Sequence, residues 1–352
     1  MKIKKTRVLL FLTAFLIILG ACSSEEKDSN TTKEGEMPDK ITIGYLRLPN
    51  DELISKTKDF YSQYFADQGI ETSFIVFDSG VEANQAFASG SVDFASMGHT
   101  NGVVSLSRNL DVELIWLHQI LGDTEGLAVR EDSGIRNIED LKGKKIATTF
   151  ASTSHYSLLQ ILKDVGIEEE VELLDMQTVD IVAAWSRGDV DAAYTWQPSL
   201  GEILKDGEMI ISSEEIAEMG HKTANIVLGR KGFTDQYPEL TVDYISALVD
   251  GGNFYRENPE EAAEISAEAL GIPAEEAMIQ MKGSLWLRPE EEISDEYLGK
   301  SDDIGDFSKV MKESADFLLD EGILSQAPSQ EDFDDFINPA FIEAYLEKEG
   351  KD

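Results

Sequence analysis

The sequence predicts an α/β protein assembled from strand–helix–strand units. Three observations carry this. Short β-like runs alternate with helical ones as far as Phe233, and one strand–helix–strand unit occurs twice. The chain is also 42% hydrophobic over 352 residues, which is apolar material for sizeable cores in about two domains' worth of length.

The elements follow in order. "KITIGY" (40–45) alternates apolar and polar side chains and reads as a strand. Residues 51–68 have helical spacing and stop at Gly69. "SFIVF" (73–77) is a strand, 81–89 a helix, and "VDFASM" and "ELIWLHQI" are further strands. This β-α-β-α order implies helices layered on a largely parallel sheet. After Phe233 the pattern turns helical, with Pro238 and Pro259 near helix starts and more helix at 304–319 and 338–346.

The repeated unit is "VFDSGVEANQAFASGSVDFASMG" (76–98) and "LLDMQTVDIVAAWSRGDVDAAYTW" (173–196). Each is an apolar strand, a polar loop, a helix ending at Gly90 or Gly188, and a Val-Asp pair opening a new strand. Glycine suits a helix C-terminus, where the chain turns left-handed. Two ordinary β-α-β units would share this outline; we read it as one unit built into each of two lobes.

Residues 1–21 read as an export signal. Lys2, Lys4, Lys5 and Arg7 precede an apolar run shorter than the ~20 residues a membrane span needs. Leu19-Gly20-Ala21-Cys22 resembles a bacterial lipoprotein box, in which the cysteine is lipidated. Cys22 is the only cysteine, so an intramolecular disulfide and a Cys-based zinc site are excluded. Residues 22–39 hold no aromatic side chain and are expected to be a solvated tether. The mature protein is therefore expected outside the cytoplasm, lipid-anchored to the bacterial membrane.

The net charge of −38 argues against nucleic acid and against an anionic membrane surface as partners. No calcium loop, phosphate-binding glycine loop or Gly-x-Ser-x-Gly elbow occurs. The histidines at 99, 118, 155 and 221 lack metal-ligand spacing, and no acid is placed to orient His155 toward Ser152. No enzyme, metal or cofactor is expected.

One stretch draws attention. "TTFASTSHYSLLQILKDVG" (148–166) is a strand end, a tight turn and a helix start crowded with hydroxyls. A helix N-terminus carries unpaired N–H groups and partial positive charge, which favour an anion. One Ser or Thr suffices for ordinary capping. Thr149, Ser152, Thr153 and Ser154 exceed that need.

"STSHYSLLQILK" followed by "AAWSRGDVDAAYTWQPSL" resembles the taurine-binding proteins of bacterial sulfonate and taurine ABC importers. "FDSG", "ASGSVDFASMG", "GDTEGLAV" with "IEDLKGKKIA", and "IVLGRKGF" fall in that family's order, so the likeness spans about 41–287. The resemblance implies a two-lobe periplasmic-binding-protein-like fold of the second type, with a ligand cleft between lobes joined by two crossing strands. We place the crossings near Glu125 to Val129 and Thr223 to Leu228. Lobe 1 is then 40–124 plus 225–352, which includes the C-terminal helices, and lobe 2 is 125–224.

The resemblance also implies a function: a monomer that captures taurine or a similar small sulfonate and delivers it to ABC permease and ATPase subunits. For the sulfonate it points to Ser152, Thr153 and Ser154, faced by Asp78 and Ser79 and by the loop with His99 and Thr100. For the ammonium it points to Glu125 in "GDTEGL", with Asp123 as fallback. Trp196 ends the second echoed strand and is placed to pack on the ligand, by a cation–π contact with its ammonium. Trp185 reads as core; Tyr156 fits core or pocket. Where the family has an aspartate this chain has Asn225, which leaves room for other sulfonates or zwitterions. Two other readings are a transport protein for nitrate or a thiamine-precursor pyrimidine, and a ligand-dependent sensor adaptor.

Overall fold

A computed structural model describes residues 37–350. The export signal, Cys22 and most of the 22–39 tether lie outside the described residues. The first part contains β1 (Lys40–Leu46), α1 (Asp51–Thr57), α2 (Phe60–Phe65), β2 (Glu71–Phe77), α3 (Gly80–Ala88), β3 (Phe94–Gly98), α4 (His99–Ser107) and β4 (Val112–Leu121). The middle contains β5 (Glu125–Arg130), β6 (Lys145–Thr148), α5 (Thr153–Asp164), β7 (Glu172–Asp175), α6 (Thr178–Arg187), β8 (Ala192–Trp196), α7 (Ser199–Ile203), β9 (Gly207–Ser212) and α8 (Ser213–Glu218). Then come β10 (Ala224–Arg230), α9 (Lys231–Thr234), α10 (Pro238–Glu257), α11 (Pro259–Leu270), α12 (Ala274–Lys282), β11 (Ser284–Leu285) and α13 (Pro289–Glu292). The short strands β12 (Gly299–Lys300) and β13 (Asp303–Ile304) precede α14 (Phe307–Asp320), α15 (Gln330–Phe336) and α16 (Ala340–Glu349).

Two main sheets result. One has the order β11-β4-β10-β3-β1-β2, the other β7-β6-β8-β5-β9. The chain leaves the first sheet after Leu121 and joins the second at Glu125; it returns between α8 and β10. The stretches expected as crossings are thus strands seated in a sheet, and the passages themselves are 122–124 and 219–223.

Each sheet is mixed. β1 runs parallel to β2 and β3, and β6 to β7 and β8, while β10 runs against them in the first sheet and β5 in the second; β4 and β9, each paired antiparallel to that reversed strand, run with the parallel set, and the short β11 runs against β4. The reason is geometric. A segment arriving from the other sheet enters at the end where the parallel strands leave, so it must run against them.

The repeat seen in the sequence extends to topology. β1 lies between β2 and β3 as β6 lies between β7 and β8. The Val-Asp pairs do the same work in each copy. Asp93 Oδ2 accepts from the Thr42 N–H at 2.8 Å, and Asp191 Oδ2 from the Lys145 N–H at 2.9 Å. Their carbonyls accept from Arg230 and Arg130, the last residues of β10 and β5. So β10 in the first sheet corresponds to β5 in the second, each supplied by a chain crossing. By register Asn225 lies opposite Gly98, and Glu125 opposite Trp196. Glu125 and Asn225 therefore hold equivalent places in the two halves.

The helix expected over 51–68 is broken. Asp59 is left-handed (φ 60), which separates α1 from α2, and a short 3₁₀ turn leads to Gly69. The break frees α1 to cross α10 closely: a Cβ on Gly251 would fall 2.3 Å from the Asp51 carbonyl oxygen. The first sheet's core runs through stacked Phe94 and Tyr244, centroids 4.1 Å apart. Trp185 and the apolar face of α6 pack a smaller core in the second. Among the described residues no helix is long and apolar enough to cross a membrane.

Candidate functional site

The hydroxyl-rich start of α5 forms around a buried carboxyl. Ser152 is the N-cap: its hydroxyl donates to the Thr149 carbonyl at 2.5 Å and accepts from the His155 N–H at 3.2 Å. Thr149 donates to the Met176 carbonyl. The next two hydroxyls reach across the fold to Glu125. Thr153 and Ser154 donate to its Oε1 at 2.6 and 2.5 Å, and Ser213 to its Oε2 at 2.9 Å. Glu125 is fully buried. Burial pushes its carboxyl above the usual range, and the hydroxyl donors partly offset that.

Glu125 lines a cavity of about 160 Å³ between the two sheets. Three helix starts open onto the same space: Ser79, Gly80 and Val81 at α3, Ser152 and Thr153 at α5, Thr178 and Val179 at α6. The first turn of each leaves N–H groups without intrahelical acceptors, so the three ends offer neutral donors and partial positive charge. Among the described residues Arg47 is the one lysine or arginine lining the cavity; it is half exposed and pairs with Asp78 at 3.2 Å. Ser79 caps α3 without a side-chain hydrogen bond.

Eight of the residues singled out from the sequence thus share one cavity: Asp78, Ser79, Glu125, Thr149, Ser152, Thr153, Trp196 and Asn225. Four do not line it. Ser154 serves Glu125 from behind. Tyr156 is core, 5.1 Å from Phe317. His99 is fully buried against α14; its Nδ1 accepts from the Ala224 N–H, which leaves Nε2–H to donate to Ser314 at 2.8 Å. Burial lowers its pKa to about 4, so it is neutral and structural. Thr100 turns away from the cavity and donates to the Ala151 carbonyl at 3.1 Å.

That last bond joins the two halves. Thr100 and Asn101 belong to α4, beside the first sheet. Ala151, in the left-handed conformation (φ 62), belongs to the turn before α5. Asn101 Nδ2 donates to the same carbonyl at 3.4 Å. Beside it, a Cβ on Gly98 would meet Thr153 Cγ2 at 3.1 Å, so glycine suits this close approach.

Sequence reasoning missed Arg47, Gln119, Thr124, Thr178 and Gln280, all of which line the cavity. Gln280 comes from α12, in the C-terminal segment. Among the described residues no group of three or more His, Cys, Asp or Glu side chains is arranged to hold a metal ion. Leu46, Leu48, Pro49, Leu121 and Pro198 add apolar wall, and Asn101, Thr149, Gln197 and Ser199 add further polar wall. The chemistry on offer is that of binding: helix-end donors for an anion, and one buried acid for a cation.

Known proteins share this plan. The chain is 29% identical over 310 residues to the taurine-binding periplasmic protein of Escherichia coli (strain K12), covering 86% of this chain and 92% of that protein. It is 25% identical to a putative aliphatic sulfonates-binding protein of Bacillus subtilis (strain 168) over 97% of both chains. The crystal structure of the periplasmic aliphatic sulphonate binding protein SsuA from Escherichia coli superposes with a TM-score of 0.71, at 18% identity over 84% of this chain and 92% of that one. The fold is therefore the two-lobe periplasmic-binding-protein fold. The desulfurization enzyme DSZB, solved as a cysteine-to-serine mutant with biphenyl-2-sulfinic acid, has the same fold at TM-score 0.63 and 18% identity. Fold alone does not carry activity, and the sole cysteine here, Cys22, lies outside the described residues. Residues 61–262 match the family described as NMT1/THI5 like, more than half of the sequence; the chain belongs to that family.

Proposed function

We propose that this chain is an extracytoplasmic solute-binding protein that captures a small aminosulfonate, taurine first, and delivers it to an ABC importer. One observation carries the reading. A single cavity offers helix N-termini and a buried acid, opposite chemistries for the two ends of a short zwitterion. The sulfonate meets the free N–H groups of α3, α5 and α6, the Ser79 hydroxyl and Arg47. The ammonium meets Glu125, and Trp196 packs beside it. A sulfonate keeps its charge at any physiological pH, and backbone donors hold it without a buried cation. The relative named as taurine-binding supports the choice, and no catalytic role is assigned. Cys22 anchors the protein by lipid in this reading.

Calorimetric titration with taurine, isethionate, nitrate and a thiamine-precursor pyrimidine tests it. Taurine should bind tightest. Failure to bind either sulfonate, or tighter binding of the pyrimidine, sinks it. Replacing Cys22 with serine should move the protein from the membrane fraction to the soluble one with its affinity intact.

The apolar walls favour a second reading, a longer alkanesulfonate, which the relative named as aliphatic sulfonates-binding also supports. Butanesulfonate outcompeting taurine would establish it.

A further inference from the structure

Two short passages join the halves, and they run side by side. The Leu121 N–H, where the first begins, donates to the carbonyl of Thr223, where the second ends, at 2.9 Å. Opening or shutting the cleft turns backbone dihedrals in these few residues. Whatever grips them sets the angle between the halves.

The stretch 283–297 grips both. It is fixed to the first half at three places. β11 pairs with β4, Glu292 Oε2 accepts from the Leu117 N–H at 2.9 Å, and Arg256 donates to the Trp286 and Leu287 carbonyls at 3.2 and 2.9 Å. From that footing Gly283 and Ser284 reach the first passage. The Gly283 carbonyl accepts from the Thr124 N–H at 3.2 Å, and the Ser284 and Thr124 hydroxyls bond at 2.8 Å. The approach leaves no room for side chains. A Cβ on Gly122 would lie 2.6 Å from the Gly283 oxygen, and one on Gly283 would lie 3.1 Å from Thr124 N.

Glu296 and Tyr297 reach the second passage. Lys222 donates to Glu296, and its Nζ lies 5.4 Å from the centre of the Tyr297 ring. The preceding residue is tied the other way, with His221 Nε2 3.6 Å from Asp164 of α5. The second passage therefore changes halves between 221 and 222.

We propose that residues 283–297 are a brace on the hinge: anchored in the first half, they grip both passages and hold the bend at which the Ala151 carbonyl meets Thr100 and Asn101. Gly283, Ser284 and Lys222 do not line the cavity, so the brace acts on the angle between the halves and not on the solute.

The test uses the full chain with Cys22→Ser, spin-labelled at Ser89→Cys and Ser186→Cys, exposed positions at the far ends of α3 and α6. Label distances are measured without solute, and taurine and isethionate are titrated by calorimetry. Three brace variants are compared: Lys222→Met, Ser284→Ala and Gly283→Ala. Each should move the distance distribution of the free protein toward longer values. Lys222→Met keeps the stem over Tyr297 and loses the ion pair, so both ligands should weaken about threefold. Ser284→Ala should weaken both about fivefold. Gly283→Ala wedges a methyl against Thr124 and should weaken both about tenfold. If it fails a thermal-melting check of folding, Lys222→Met decides alone, because its side chain is remote from the cavity. An unchanged label distance with unchanged affinities, and only a lower melting temperature, overturns the brace. A loss confined to taurine also overturns it, because the change would then have travelled through Thr124 to Glu125. The affinity arm rests on the aminosulfonate reading above. If the parent chain binds neither ligand, that reading has failed, and the distances in the free protein still decide the brace.

Discussion

Glu125 and Asn225 stand at matching places in the two halves, one at the head of β5 and the other near the head of β10, yet their surroundings are opposite. Glu125 is wrapped by hydroxyls from Thr153, Ser154 and Ser213. Asn225 lines the cavity with no such wrapping among the described residues, and its cross-strand neighbour Gln119 keeps an unpaired oxygen there. The hydroxyls are what a buried charge demands, since an unsolvated carboxylate is far costlier than an unsolvated amide. The same scaffold position thus yields a charge that the protein has already solvated and an amide it has left for the ligand. The two positions therefore present a ligand with a charge on one side and a neutral dipole on the other.

Breaking the charged side has the largest expected effect. Glu125→Gln should weaken taurine by about 2–3 kcal/mol, the worth of a buried hydrogen bond to a charged group, and isethionate by much less. Paired titrations check this; equal losses would mean that Glu125 shapes the passage between lobes and does not meet the cation.

Acid acts on the same side only. Burial raises the Glu125 carboxyl above its ordinary value, so as pH falls the free protein takes up a proton there before an ordinary glutamate would, and an ammonium must displace it. Taurine affinity should rise with pH through that raised range and then level off, with protons released on binding, whereas isethionate affinity stays flat. Titrations in buffers of different ionisation enthalpy read the proton release. A parallel pH profile for both ligands would assign the effect elsewhere.

Making the sides alike sharpens the contrast. Asn225→Asp should improve taurine relative to isethionate by about 1 kcal/mol, as a charge-assisted hydrogen bond replaces a neutral one. The ratio of the two dissociation constants is the readout, and an unchanged ratio would put residue 225 beyond the nitrogen's reach.

The hydroxyls separate last. Thr153→Ala removes a donor to Glu125 and should cost taurine about 1 kcal/mol, with isethionate spared. Ser152→Ala removes only a cap and should lower stability by about 1 kcal/mol with both affinities intact. Thermal melts and titrations on the pair decide it. If Ser152→Ala weakens both ligands instead, its hydroxyl reaches the sulfonate.

Much of the framework was legible in the sequence, for local reasons. The repeated Val-Asp and the helix-ending Gly90 and Gly188 are adjacent-residue signals, and each keeps one meaning in both halves. Glu125 stands out because the second acid of "GDTEGL", directly before Gly126, matches a known pattern. The hydroxyls of "STS" were read as anion donors, since a helix start is all that neighbouring residues reveal. Their acceptor lies 28 and 29 positions away, and the third donor to it, Ser213, lies 88 away. No periodicity reports such meetings. Gln119 and Gln280 were silent for a related reason: one amide in an apolar strand or an acidic helix is indistinguishable from surface until the chain folds around it. The break at Asp59 was equally hidden, because residues 51–68 keep helical spacing through it and only the crossing with α10 explains the bend.

The Ala151 carbonyl accepts from Thr100 and Asn101 of the opposite half, and Ala151 is not among the residues lining the cavity. Its bonds exist only when the halves meet, so they act on the equilibrium between open and shut forms before any solute is chosen. A ligand that needs the shut form binds with an apparent dissociation constant equal to its intrinsic one divided by the fraction already shut. That fraction is common to every ligand. Weakening this contact therefore rescales all affinities by a single factor and leaves their order untouched, so that how tightly the protein holds its solutes and which solute it prefers are separately adjustable properties of one cleft.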